Sequence, residues 1–317
     1  MRLMLVLFCL SAAGFAQAQD YPTRPVRVVV GYPGGGGADF FARAVTQKLS
    51  EALGQPFIVE NRPGAGSNIG AEVVARAAPD GYTLLVMNIA FAANPSLYAK
   101  LPFDPLKDFT PISQVASLMN LLVVHPSVPV TSVKELIALA RSNPGKMNYA
   151  SAGNGSSTHL AGELFKSMAG VQIVHIPFKG APPAITAVLS GEVGMMFAAI
   201  PTALSQSKAG RLRALAVGAA RRSSAAPNIP TIAEAGVPGF DVSSWVGMAA
   251  PAGTPRPIIL KLNQEIVKVT RLPEVQEQLS REGAESISST PEQFAALVRS
   301  EMAKWSKVVK QAGIRAD

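Results

Sequence analysis

Cysteine is nearly missing: Cys9 is the only one, and it falls among the first twenty residues. That segment reads as a removable leader. Met1-Arg2 is a short basic start, Leu3 to Phe15 is apolar, and Ala16-Gln17-Ala18 is a small-residue cleavage site, so residues 1–18 are expected to be a signal peptide. The apolar stretch falls short of the roughly 20 residues that cross a bilayer, and no later run is long and apolar enough. The mature chain is therefore expected to be exported and soluble. Without a thiol it forms no disulfide and uses no cysteine as nucleophile or ligand, so its stability must come from core burial.

Other scarcities narrow the chemistry further. Only three histidines are present, none at metal-ligand spacing, so no metal site is expected. His125 and His175 each end an apolar run close to a proline and read as structural. Aromatic residues make up 6% of the chain, and the net charge is +8, or +7 once Arg2 leaves with the leader. The basic residues are scattered, with Arg221-Arg222 the tightest pair, which argues against nucleic acid. A solvated basic surface that mildly attracts small anions fits better.

What is plentiful is alternation. Strand patterns at Val26–Gly31, Phe57–Glu60, Thr83–Met87, Leu118–His125, Met147–Ala150, Ile173–Ile176, Val193–Ala198, Leu212–Val217 and Val242–Ala249 are interleaved with helical ones. The helical patterns include Asp39–Leu53, Ser67–Arg76, Val133–Arg141 and Ser156–Met168. Only helical patterns follow Ala250: Pro257–Thr270, Glu274–Arg281 and Pro291–Gln311. Such alternation predicts an α/β chain with parallel sheets covered by helices, and its length predicts two domains. The C-terminal helices should pack back on the first half. That makes the middle of the chain an inserted lobe reached by two crossing strands, with Trp245 on the second, lining a cleft or packing in the hinge.

Glycine marks three turns. The first, Pro33-Gly-Gly-Gly-Gly-Ala-Asp39, joins a strand to a helix, as phosphate loops do. A P-loop ends in Gly-Lys-Ser/Thr, whereas this one ends in Gly37-Ala38-Asp39, and a carboxylate would repel phosphate. The G-x-G-x-x-G spacing is absent too. What survives is bare backbone at a helix N-terminus, which favours an anion, with Asp39 placed to cap the helix. The second turn, within Asn61 to Gly70, reads as structural, Ser67 or Asn68 capping its helix. The third, Ser151-Ala-Gly-Asn-Gly-Ser-Ser-Thr-His159, repeats the first with hydroxyls added. A secreted serine hydrolase using Ser156 or Ser157 with His159 would need a G-x-S-x-G elbow, which is not there.

Taken together, these segments resemble the Bug (TctC-like) solute receptors of tripartite tricarboxylate transporters. The likeness rests on Gly34-Gly-Gly-Gly-Ala-Asp39, Glu60-Asn-Arg-Pro-Gly-Ala-Gly-Ser-Asn-Ile-Gly70, Asn94-Pro-Ser-Leu-Tyr98, His159-Leu-Ala-Gly-Glu-Leu-Phe165 and His175-Ile-Pro-Phe-Lys-Gly180. The resemblance implies a two-lobed periplasmic binding protein of the Venus-flytrap kind, its α/β lobes joined by two crossing strands. Lobe 1 is expected over residues 20–118 and 245–317, lobe 2 over 119–244. It further implies that a small carboxylate is held by backbone N–H groups and ordered water. In lobe 1 the residues are Tyr32, Gly35, Gly36, Gly37, Ala38 and Asp39. In lobe 2 they are Gly153, Asn154, Gly155, Ser156, Ser157, Thr158 and His159, with Lys179 and Ala198 beside them.

Members of that family often carry an aspartate where this chain has Gly194, before Met195-Met196-Phe197. The resemblance therefore implies a mono- or dicarboxylate with an uncharged or apolar body rather than an amino acid. No catalytic residue and no cofactor is expected. The expected partners are the ligand and the membrane subunits of a transporter, served by a monomer; a ligand-loaded co-sensor for a membrane kinase is the alternative.

Overall fold

The computed structural model describes residues 21–313 other than Gly36. The leader expected over residues 1–18 lies outside the described residues. Two sheets organise the chain. The first contains β1 (Val26–Val30), β2 (Phe57–Asn61), β3 (Thr83–Asn88), β4 (Phe109–Leu118), β10 (Ser244–Pro251) and β11 (Ala284–Ser286), in the order β11-β4-β10-β3-β1-β2. The second contains β5 (Asn120–Val124), β6 (Met147–Ser151), β7 (Ile173–Pro177), β8 (Met195–Ala199) and β9 (Arg213–Val217), in the order β7-β6-β8-β5-β9. Each sheet with its helices is one α/β lobe.

The sheets are mixed rather than parallel as the alternation predicts. β1 pairs in parallel with β2 and β3, but β10 runs antiparallel to β3 and β4, and β5 antiparallel to β8 and β9. The crossings cause this, because a chain that enters or leaves a lobe once must run against its neighbours. β4 passes into β5 through the single residue Met119, and Asn120 pairs with Ala199 at the end of β8. Ser244 at the start of β10 pairs with Leu118 at the end of β4. The edges where β1, β3 and β4 end and where β6, β7 and β8 end therefore adjoin. Loops leaving those edges are where ligands of open α/β sheets sit.

Among the described residues, seven helices cover the outer faces and three others lie toward the join. On lobe 1, α1 (Gly37–Leu53), α8 (Arg256–Thr270) and α9 (Pro273–Arg281) share one core with Val28, Leu84 and Met248, while α2 (Asn68–Ala75) packs on the other face. On lobe 2, α6 (Ala181–Leu189) and α7 (Ile200–Lys208) cover one face, α4 (Val133–Ser142) the other. α3 (Ile89–Leu97), α5 (Ser157–Ala169) and α10 (Pro291–Ala312) belong to a core that runs from Val29 and Leu85 through Trp305 to Phe165 and Phe197. The C-terminal helix packs back on the first half as expected, and also against α5 of the second lobe. Trp245 is buried edge-on to Phe294 of α10, their centroids 5.4 Å apart, and so packs at the join rather than lining an opening.

Candidate functional site

β1 ends at a loop whose shape is held by one carboxylate. Asp39, 3% exposed, accepts from the Gly35 N–H at 2.9 Å and from Arg43 Nε at 2.9 Å through Oδ2. Its Oδ1 accepts from Asn61 Nδ2 at 2.9 Å, and that same amide donates to the Tyr32 carbonyl at 3.0 Å. Burial alone would raise the Asp39 pKa, but the bonds from Arg43, Gly35 and Asn61 bring it down to about 2. Asp39 is thus ionised and fully engaged. It is not the N-cap that the sequence suggests: α1 begins two residues earlier, at Gly37, and Asp39 reaches back from the first turn. Gly35 and Gly37 are exposed, Ala38 is half-buried, and Gly36 lies outside the described residues.

The loop after β6 is built the same way from neutral groups. Ser156 caps α5, accepting from the His159 N–H at 3.3 Å, and Thr158 Oγ1 accepts from the Ala152 N–H at 2.8 Å. The Gly155 N–H donates to His159 Nδ1 at 3.0 Å, which puts the imidazole proton on Nε2. Ser151 Oγ accepts from the Gly153 N–H at 3.1 Å and meets His175 Nε2 at 2.5 Å. Ser151 and His175 have the look of a nucleophile and its base, yet Ser151 is fully buried and its oxygen orders the turn. Asn154 is exposed at the tip.

In both loops, then, the glycine N–H groups at Gly35 and Gly155 are already bonded within the loop. The N–H groups left without intrahelical acceptors belong to the helix starts, Gly37 and Ala38 on α1, Ser157 and Thr158 on α5. Each helix start favours negative charge.

Three rings back the second loop. His175 stacks between His159, 4.0 Å centroid to centroid, and Tyr149, 4.9 Å away. Tyr149 donates to the buried Glu163 at 2.7 Å, which Lys166 also grips. Burial pushes the pKa of His159 down to about 4, with Lys166 adding to the effect. Burial likewise lowers His175 to about 4, His159 and Lys166 reinforcing it against Glu163. Both imidazoles are neutral at pH 7, whereas an unfolded chain takes up their protons near pH 6.5. The unfolded state thus binds more protons between about pH 6.5 and 4, so stability is full above that window and falls through it. Thermal melts should show the midpoint dropping from pH 7 to pH 4.5, and a flat profile would contradict neutral, buried imidazoles.

α3 stands between the loops. Tyr32 Oη donates to Asn88 Oδ1 at 3.1 Å, and burial raises that phenol to about 12, so it remains a neutral donor. Asn88 caps α3 by accepting from the Ala90 N–H at 3.1 Å. Further along α3, Asn94 and Leu97 face lobe 2: a Cβ built on Gly155 would lie 3.6 Å from Leu97 Cδ1 and 3.9 Å from Asn94 Oδ1. The expected cap at Ser67 does not form, since Ser67 sits at φ 81° with no side-chain cap bond. Asn68 instead accepts from Asn94 Nδ2 at 2.7 Å. Sequence reasoning gave Asn88 and Asn94 no role. The segment Asn94-Pro-Ser-Leu-Tyr98 was the available signal, but nothing in its spacing points to lobe 2.

The remaining expectations divide. Lys179 is exposed on the loop after β7, beside the Gly153 turn, where the Phe178 N–H donates to the Ser151 carbonyl at 3.0 Å. Ala198 is buried against Leu121 and Ala150, and Ala199 is the exposed residue at the strand end. Gly194 does not face the loops. It precedes β8 at the far edge, donating to Asn148 Oδ1 at 2.8 Å and accepting from the His125 N–H at 2.9 Å. Met195, Met196 and Phe197 are core residues, because β8 is the central strand and is covered on both faces. Neither Gly194 nor that apolar run can select a ligand by contact. Among the described residues, no group of three or more acids and histidines could hold a metal, and no helix is long and apolar enough to cross a membrane.

Residues 41–314 match the model of the tripartite tricarboxylate transporter family receptor, TctC. Protein BugT of Bordetella pertussis is 37% identical over 320 residues, covering 99% of this chain and 98% of its own. An R. palustris protein, Rpa4515, solved with adipate, superposes with a TM-score of 0.83 at 40% identity, covering 93% of this chain and 99% of its own. MatC (Rpa3494) from Rhodopseudomonas palustris, solved with bound malate, gives 0.80 at 35% identity over 91% of this chain and 100% of its own. The chain belongs to the TctC family of tripartite tricarboxylate transporter receptors.

Proposed function

We propose that this protein is a periplasmic receptor that takes a small carboxylate between its lobes and delivers it, as a monomer, to the membrane subunits of a tripartite tricarboxylate-type transporter. One observation carries the reading: two strand–loop–helix units, one per lobe, leave adjoining sheet edges, and the first N–H groups of their helices have no intrahelical acceptor. In this arrangement the glycines shape the loops, and the N–H groups at Gly37, Ala38, Ser157 and Thr158 hold the anion. A single helix start supplies at most about 2 kcal/mol, whereas a micromolar complex needs about 8 kcal/mol. Two helix starts with water excluded between the lobes close much of that gap. The family membership and the adipate- and malate-bound relatives support a carboxylate ligand.

The protein is read as a binder and not an enzyme. Ser151, the one serine paired with an imidazole in these loops, is sealed from any substrate, and Ser156 is spent as a cap. Calorimetric titration with unbranched mono- and dicarboxylates, after native mass spectrometry to find and remove any retained ligand, tests the reading. Micromolar binding of at least one member is expected. Heat-free titrations throughout, with protein shown to be folded and empty, would overturn it.

A further inference from the structure

Asn94 is 2% exposed, yet its Oδ1 finds no hydrogen-bond donor among the described residues. The orientation of this amide is not arbitrary. Nδ2 donates to the Gly66 carbonyl at 2.7 Å and to Asn68 Oδ1 at 2.7 Å. A backbone carbonyl cannot donate, so the nitrogen must face Gly66 and the oxygen must be the orphan. The turn that Asn94 grips is itself held out of ordinary backbone space, with Ala65 at φ 46° and Ser67 at φ 81°. Such outliers persist where surrounding contacts fix them and gather at ligand clamps.

The orphan oxygen lies at the meeting of the lobes, beside the Cβ-free face of Gly155. When the lobes part, water can reach it. When they meet with nothing between, it is sealed without a donor, which is costly for a buried amide. A ligand that brings a donor to this point as the lobes close removes that cost. The donor is not an ammonium, for a buried cation needs a free carboxylate beside it. The two buried carboxylates of these loops are already taken, Asp39 by Arg43 and Glu163 by Lys166.

Resting on the carboxylate-receptor reading, we infer that Asn94 Oδ1 accepts a hydrogen bond from a hydroxyl of the ligand, so that the natural substrates are hydroxycarboxylates and Asn94 sets that preference. The test is calorimetry with matched pairs, malate against succinate and 3-hydroxyadipate against adipate, with aspartate added. The wild-type protein should bind the hydroxylated member of at least one pair about tenfold tighter or more, the ratio that about 1.4 kcal/mol gives. Asn94→Leu should bring that ratio within about threefold by weakening the hydroxylated ligand and sparing its partner. Asn94→Ala serves as the second variant, with cooperative thermal melting required of either. Equal affinities within both pairs, an unchanged ratio in a folded variant, or aspartate binding tighter than malate each overturn the inference while leaving a carboxylate receptor. If no member of the panel binds, the receptor reading itself fails and takes the inference with it.

Discussion

Gly155→Val is expected to abolish detectable carboxylate binding while the protein still melts cooperatively. Gly155 sits at φ +75°, where a β-branched side chain is strained, at a cost of about 1–3 kcal/mol. Its Cβ would already touch Leu97 and Asn94 across the lobes, so the two Cγ atoms of valine would occupy the space between α3 and the loop. The loop could respond only by breaking the bond from the Gly155 N–H to His159 Nδ1, which disorders the start of α5. Strain and blocked closure act on the same contact, and a loss of roughly a hundredfold or more corresponds to about 2.8 kcal/mol. Lys179→Ala is the paired control: Lys179 is exposed and should change affinity by less than about tenfold, a hydrogen bond to solvent-exposed charge being worth little. Should Lys179→Ala abolish binding while Gly155→Val titrates normally, a salt-bridged site would replace the backbone cradle.

Trp305→Ala is expected to be the most destabilising single truncation at the join. The side chain is fully buried and its Nε1 donates to Glu301 Oε2 at 2.9 Å. Removing a buried tryptophan costs about 3–5 kcal/mol. For a chain of this size that lowers the thermal midpoint by roughly 5–10 °C. Because α10 touches α3 in one lobe and α5 in the other, the damage should extend to hydrogen exchange in both. Protection lost in only one lobe, or a shift below about 2 °C, would mean that α10 does not tie the lobes together.

Much of this protein was legible in the chain itself. Period-2 and period-3.6 patterns located β1, β2, β3 and β6 and helices such as α4 and α5 to within a residue or two, because hydrophobic spacing is a local property. The two glycine-to-helix turns were legible for the same reason, and the Gly37-Ala38-Asp39 ending, in place of Gly-Lys-Ser/Thr, explains why the first is not a phosphate loop. α3 escaped because Pro95 lies inside it and it follows β3 without a connecting loop, while three-residue β11 is too short to show a pattern.

Only the tertiary structure decided which groups meet. Asp39 looked like a cap and is a strut, since α1 starts earlier and Arg43 and Asn61 converge on its carboxylate. Gly194 and Met195–Phe197 looked like pocket residues and lie at the far edge and in the core, because strand direction and position in the sheet are set by distant pairings. The approach of Asn94 to Gly155 depends on where two lobes come together. Local spacing fixes what each segment becomes. Contacts between distant segments, settled by burial of one shared core around α10, fix which of them meet where the lobes join.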